Sequence, residues 1–270
     1  MGGFFMHSRT GLKTEYLGDT WFDMINACAD EAERLGMEAW FYDEDRWPSG
    51  FAGGLVTRHP EYRAQKLVMH AFGPGEFEAR EDYMALFSCR MDGNDCYEAT
   101  RISAAGAAEA NQERCILAFF VQQSPQSAFY NGYTDVDRMN REATDAFIKF
   151  THEEYRERCG ERLGASIHGI FLDEPHRQTV LDTPVPIEQS FEDGISVPWT
   201  DRLPDAFSER MGYSILDELP ALFLNPEGKE VSSAKWDYIE VTQQLFIENW
   251  LRPIYDWCER NNMKLTGHLL

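Results

Sequence analysis

The run 167–175, IHGIFLDEP, constrains this chain more than any other stretch. Its β-branched and aromatic residues predict a buried strand, and Pro175, which has no N–H to donate, ends the ladder directly after Asp173 and Glu174. Two carboxylates are therefore expected at the carboxyl end of a strand. In a barrel of alternating strands and helices, that end is where side chains leave the packed interior and meet substrate. Glu174 is the first candidate for a catalytic acid, with Asp173 beside it. Such a pair has a plainer role, opening a loop or capping the next helix, so the rest of the chain has to decide between the two.

The same arrangement recurs along the sequence. Residues 2–7, GGFFMH, predict a strand that delivers His7 and Arg9 to a glycine-marked loop. A second strand, 38–42, runs into DEDRWPSGFAGG and brings Asp43 and Glu44 to its tip. CILAFFVQ, 115–122, has the all-apolar composition of a parallel strand covered on both faces and ends in Gln122 and Gln123. KLTGH, 264–268, ends in His268. Amphipathic helices are expected over 21–35, with Thr20 as cap and Gly36 as terminator, over 140–159, and over 231–262.

Strands that alternate with helices imply parallel pairing through right-handed crossovers. No GxGxxG or GxxxxGK[ST] turn follows any of these strands, which argues against a nucleotide-binding doubly wound sheet. The expected fold is α/β, of (β/α)8 TIM-barrel type, with about the first five β/α units in a single domain over 1–270. Between 57 and 114 the alternation lapses. KLVMHAF, YMALFSCRM and CYEATRI read as short strands separated by GPGE and DGND, a small β insertion after the second strand. Because the chain starts in one strand and stops at another, the barrel is expected to be partial, with open edges prone to self-association.

The chemistry offered by these tips suits carbohydrate. His7, Arg9, Asp43, Glu44 and His268 are candidates to hydrogen-bond sugar hydroxyls, while Trp47, Tyr133 and Trp199 offer ring faces to a pyranose. Asp43 and Glu44 are also candidates for holding a cation, although the twelve-residue ligand pattern of an EF-hand is missing. Neither the HExxH spacing of a zinc enzyme nor a GxSxG elbow is present. A formal net charge of -21 excludes a phosphate backbone as partner, since binding it requires clustered Lys and Arg.

Six cysteines lack CxxC spacing, and two of them, Cys89 and Cys96, flank the DGND hairpin. No apolar run approaches the roughly 18 residues of a membrane span. The start shows no cleavable leader, which for a partial chain leaves its location open.

Seven ordered motifs, GGFFMHSRTGL, LGMEAWFYDEDRWPSGFAGG, GIFLDEP, PWT, MGY, LP and WCERNNMKLTGH, span nearly the whole chain. Together they resemble the barrel of bacterial glycoside hydrolases related to family 106, the α-L-rhamnosidases. The resemblance implies a TIM-barrel glycosidase domain, part of a larger enzyme that removes terminal sugars from glycans. It places Glu174 at the acidic strand-end position and implies an inverting general acid and base. It also implies calcium at the barrel mouth, where His7, Asp43, Glu44, Asp173, Glu174 and His268 are expected to converge, with Asp43 and Glu44 as its first ligands. The alternatives are a carbohydrate-binding barrel without catalysis and an inactive fragment of a larger glycosidase.

Overall fold

The structure, a computed structural model, describes residues 2–9, 11–177 and 195–269. Its strands are β1 (Gly3–Met6), β2 (Glu38–Tyr42), β3 (Gln65–Phe72), β4 (Ala85–Asp92), β5 (Asp95–Ile102), β6 (Cys115–Gln123), β7 (Ile167–Leu172), β8 (Ile195–Trp199), β9 (Asn225–Pro226) and β10 (Lys264–Gly267). The helices are α1 (Asp19–Leu35), α2 (Ala104–Ala110), α3 (Arg141–Phe147), α4 (Glu153–Cys159), α5 (Leu203–Met211), α6 (Pro220–Phe223), α7 (Ser233–Phe246) and α8 (Arg252–Arg260). Single π turns, Ile148–His152 and Ile247–Leu251, join α3 to α4 and α7 to α8. Among the described residues, no helix is long and apolar enough to cross a membrane.

The chain divides into two compact units. The first comprises Met1–Ala64, Ser124–Arg177 and Leu245–Leu270, and holds a four-stranded parallel sheet in the order β1-β2-β7-β10. Alternate residues of these strands face opposite ways. Met6, Phe41, Ile170 and Leu172 enter a core with Trp21, Phe22 and Ile25 of α1, Tyr155 of α4 and Ile254 and Trp257 of α8. On the other face Phe5, Tyr42 and Phe171 form an aromatic row, with ring centroids 5.0 Å apart for Phe5–Phe171 and 4.8 Å for Tyr42–Phe171.

Helix α1 buries Trp21, Phe22, Ile25, Ala29 and Ala32, one stripe of a 3.6-residue repeat, and Gly36 closes it in the left-handed conformation, φ 63°. Its cap is Gly18, without a side-chain hydrogen bond, so the expected capping role of Thr20 does not hold: Thr20 already lies inside the first turn. At α3 the side chain of Asn140 accepts the N–H of Glu142, satisfying one of the helix's orphan donors.

The expected five β/α units are not what forms. β6, read from its apolar run as a parallel barrel strand, is the middle of an antiparallel ladder, with Gln65 opposite Gln123 on β3 and Cys89 opposite Cys115 on β4. A strand buried on both faces looks the same in sequence whether its neighbours are parallel or antiparallel. Gln122 and Gln123 therefore end a strand of the second unit rather than a barrel strand.

That second unit, Gln65–Gln123 and Gln178–Gln244, carries a six-stranded sheet in the order β8-β3-β6-β4-β5-β9. It takes in the expected 57–114 insertion only from Gln65 onward and extends well beyond it. The two central residues of DGND, Gly93 and Asn94, turn β4 into β5, with Gly93 at φ 58°. Cys89 and Cys96 are buried free thiols on those two strands, and contact with Cys96 pushes the Cys89 thiol well above its ordinary pKa. Pro198 sits in β8, an edge strand, where its missing donor costs no ladder bond.

Candidate active site

In the first unit β1, β2, β7 and β10 run parallel, so His7, Asp43, Asp173 and His268 all follow the carboxyl ends of their strands. The register makes these ends level, with Tyr42 beside Phe171 and Leu172 beside Gly267. Beyond β7 the Asp173 carboxylate is held from two sides. Tyr42 donates its hydroxyl to Oδ2 at 2.5 Å, and His268 Nδ1 lies 3.5 Å from Oδ1. Burial and this hydrogen bond push the Tyr42 phenol far above its ordinary pKa, so it remains a donor. His7 stacks on the other side of Tyr42, with centroids 3.5 Å apart.

Glu174 adopts φ 47°, in the left-handed region that a residue with a side chain enters only at a cost. Its N–H is bonded to His268 O at 3.1 Å, tying β7 to β10 past the last ladder pair. The indole N–H of Trp47 donates to Glu174 Oε2 at 2.8 Å. Trp47 is 40% exposed and meets Phe129, 49% exposed, edge to face at 6.0 Å. Two open aromatic surfaces thus stand next to a half-buried carboxylate.

The loop after β2 is built around Ser49. Its hydroxyl donates to Asp43 Oδ1 at 2.6 Å and accepts the Asp173 N–H at 2.8 Å, while its own N–H bonds Asp173 O at 3.0 Å. Gly50 is required next to it: at φ 134°, a Cβ would lie 2.7 Å from Val136 Cγ1 and 2.8 Å from the Trp250 ring. Arg138, buried, clamps the loop from below. Its Nε donates to Ser49 O, its two terminal nitrogens to both oxygens of buried Asp135, and Nη1 also to His176 O just past Pro175.

Asp43 and Glu44 are 0% and 1% exposed, and among the described residues Asp43 Oδ2 and Glu44 Oε2 have no hydrogen-bond partner. Burial raises Asp43 to about 8 and, with repulsion from Asp43, Glu44 to about 9. Burial and then Arg9 lower His7 to about 4. At neutral pH the 3.4 Å contact of His7 Nε2 with Glu44 Oε1 is therefore between an uncharged imidazole and an uncharged acid, not an ion pair.

A pH dependence follows. Between the ordinary carboxyl pKa of 3.8 and about 8, folded Asp43 keeps a proton that the unfolded chain has lost. Its stabilising share is fully present below the lower value and is lost as pH rises to the upper one, at a limiting slope of about 1.4 kcal/mol per pH unit. Asp43→Asn is expected to flatten the loss of stability between pH 5 and 8 measured by urea unfolding. A variant curve parallel to wild type would contradict the buried neutral acid.

The remaining expected residues are distributed as follows. Arg9, exposed, lines a cavity with Tyr16, Asp45 and Asn131. Tyr133 lies flat against the backbone at Gly54, where a Cβ would come within 2.2 Å of its ring. Trp199 belongs to the second unit and is 2% exposed, so the expected open ring face is not available there. Tyr42, Ser49, Phe129, Asp135 and Arg138 were not anticipated from sequence. Asp135 and Arg138 at i, i+3 in DVDR was the available signal, although such spacing is common on surfaces.

Of the six residues expected to converge on a cation, three come together and Asp43, Glu44 and His7 are not among them. Among the described residues, the ligand atoms that come within 4.8 Å of one another are those of Asp173, Glu174 and His268. Two carboxylates and an imidazole are not the all-oxygen cage that calcium takes.

No protein-family profile matches the chain. It is similar to the "Putative beta-glucuronidase" of Formosa agariphila, 20% identical over an alignment 313 positions long that covers 93% of this chain and 25% of that protein. Among solved structures it is similar to a rhamnosidase from Novosphingobium sp. PP1Y, with a TM-score of 0.56 at 12% identity, covering 98% of this chain and 42% of that one. The chain thus spans about a quarter of the curated relative and less than half of the structural neighbour. The chain shares a fold with the one and a distant sequence similarity with the other.

Proposed function

We propose that the chain carries the acid site of a glycoside hydrolase, in which Glu174 protonates the leaving glycosidic oxygen. The observation that supports this most is Glu174 itself: a carboxylate at the carboxyl end of a parallel strand, in a costly backbone conformation, with its oxygen oriented by an exposed tryptophan. Strain of that kind persists where the surrounding structure enforces it, and it clusters at active sites. Asp173 is the partner carboxylate, fixed by Tyr42 and His268 as an acceptor for substrate. Trp47 and Phe129 provide the apolar surface against which a pyranose ring packs.

Glycosidic cleavage needs a second carboxyl group that attacks or activates water, and its distance from the acid sets retention or inversion. A rhamnoside is one substrate class in keeping with the structural neighbour, and a glucuronide is one in keeping with the sequence relative. The test is a screen of the full-length protein against nitrophenyl glycosides, α-L-rhamnoside and β-D-glucuronide included. Turnover of one of them is the expected result. Sugar binding without turnover of any would favour the second reading, a binding barrel, for which the open Trp47 and Phe129 rings would suffice.

A further inference from the structure

Three cysteines occupy neighbouring strands of the second unit: Cys96 on β5, Cys89 on β4 and Cys115 at the start of β6. Cys89 is opposite Cys115, while Cys96 is opposite Met91, two residues along β4 from Cys89. Residues two apart on a strand share a face, so Cys89 and Cys96 are diagonal neighbours on one face of the β4–β5 hairpin. The right-handed twist of a hairpin shortens the diagonal that runs from a first-strand residue toward the turn on the second strand, which is the one these two occupy. The register shift between Ser88 and Arg90 falls at Cys89 itself, and a bulge increases the local twist further. Both thiols are free, and they are 0% and 2% exposed.

The two thiols are also in contact. Hydrogen bonding between them raises the Cys89 thiol and lowers that of Cys96, so the pair keeps its proton on Cys89 and favours a thiolate at Cys96. Cys115 acts on Cys89 by charge alone and more weakly. Cys159 and Cys258, by contrast, sit in the apolar core of the first unit, where burial raises each to about 12 and no second thiol contributes. A thiolate held against another sulfur is the arrangement from which a disulfide closes by exchange.

We infer that Cys89 and Cys96 form a disulfide site, closed by exchange with a small disulfide such as oxidised glutathione. The Cys96 thiolate attacks one sulfur of the oxidant, bonds to it and expels the first glutathione thiolate. Cys89 then gives up its proton, and its sulfur attacks the Cys96 sulfur and expels the second. One protein disulfide and two glutathione thiols result, and the oxidant gains the two electrons that the cysteines lose. Because both thiols are buried, exchange proceeds through local opening of the hairpin. The bond ties β4 to β5 beside the bulge, where the ladder between them is interrupted. This inference goes beyond the glycosidase reading and does not depend on it.

A peptide map tests it, because trypsin separates the three cysteines. Cleavage after Arg80, Arg90, Arg101, Arg114 and Arg138 puts Cys89 in residues 81–90, Cys96 in 91–101 and Cys115 in 115–138. The folded full-length protein is incubated with oxidised glutathione, denatured, alkylated without reductant and digested. Residues 81–90 and 91–101 are expected as one linked species, lighter by two hydrogens than the two peptides together, that dithiothreitol separates. Cys115→Ser should leave this species unchanged, and Cys96→Ser should abolish it without creating a link to 115–138. Recovery of Cys89 and Cys96 both alkylated, glutathione adducts left unresolved on either, or Cys89 joined to 115–138 instead would overturn the inference.

Discussion

Glu174→Gln is expected to lower kcat on a disaccharide substrate about 10²- to 10⁴-fold, the contribution of a positioned general acid, with KM nearly unchanged. The loss should be much smaller on the matching nitrophenyl glycoside, because nitrophenolate departs without needing a full proton. That contrast separates a proton donor from a residue that only binds sugar, which would lose both substrates equally. Glutamine keeps an oxygen for the Trp47 indole, 2.8 Å away, so the local structure should survive. Glu174→Gly supplies a complementary measurement. With φ 47° at this position, glycine removes the steric cost of the left-handed backbone and should raise stability by about 1 kcal/mol while abolishing turnover. A glycine variant that is both inactive and clearly destabilised would indicate a structural role for Glu174.

Arg138→Met should be the most damaging change for stability, at about 3–5 kcal/mol in urea unfolding, because it strands the buried Asp135 carboxylate without its partner. The double variant Arg138→Met, Asp135→Asn should recover part of that loss, since the uncompensated charge is then removed as well. Function should suffer even where the fold is retained. Arg138 donates to Ser49 O and His176 O, one in the loop that holds Asp43 and the other just past Asp173 and Glu174. A single-variant loss below about 1 kcal/mol would mean that the pair is not the anchor its burial indicates.

Glu174 and Asp173 were legible in the sequence because a strand, two carboxylates and a proline follow one another without interruption, so local pattern alone places them at a strand end. The ends of β1, β2 and β10 were legible for the same reason, and each is followed by the side chain the pattern predicts. β6 shows where that reasoning stops. Its apolar run marks burial on both faces, but the direction of its neighbours depends on which strands it meets, and β3 and β4 meet it antiparallel. Trp199 illustrates the same limit, since a tryptophan at a strand end has the same local signature whether its ring is open or, as here, 2% exposed.

Asp43 and Glu44 divide the two levels most clearly. Sequence places both acids after β2 and, with no partner in view, lets them be read as ionised ligands. Only the tertiary structure buries them against their neighbours, and burial disfavours the charged form, raising them to about 8 and about 9. The partners that orient the site, Tyr42 on the Asp173 carboxylate, Trp47 on Glu174 and Ser49 on the Asp173 N–H, are each contributed by β2 or its loop across a parallel register. Periodicity along the chain determined which residues reach the end of a strand. Which of them touch, and in what charge state, was decided by packing between segments up to 131 residues apart, because hydrogen bonding and desolvation depend on distance in space rather than along the chain.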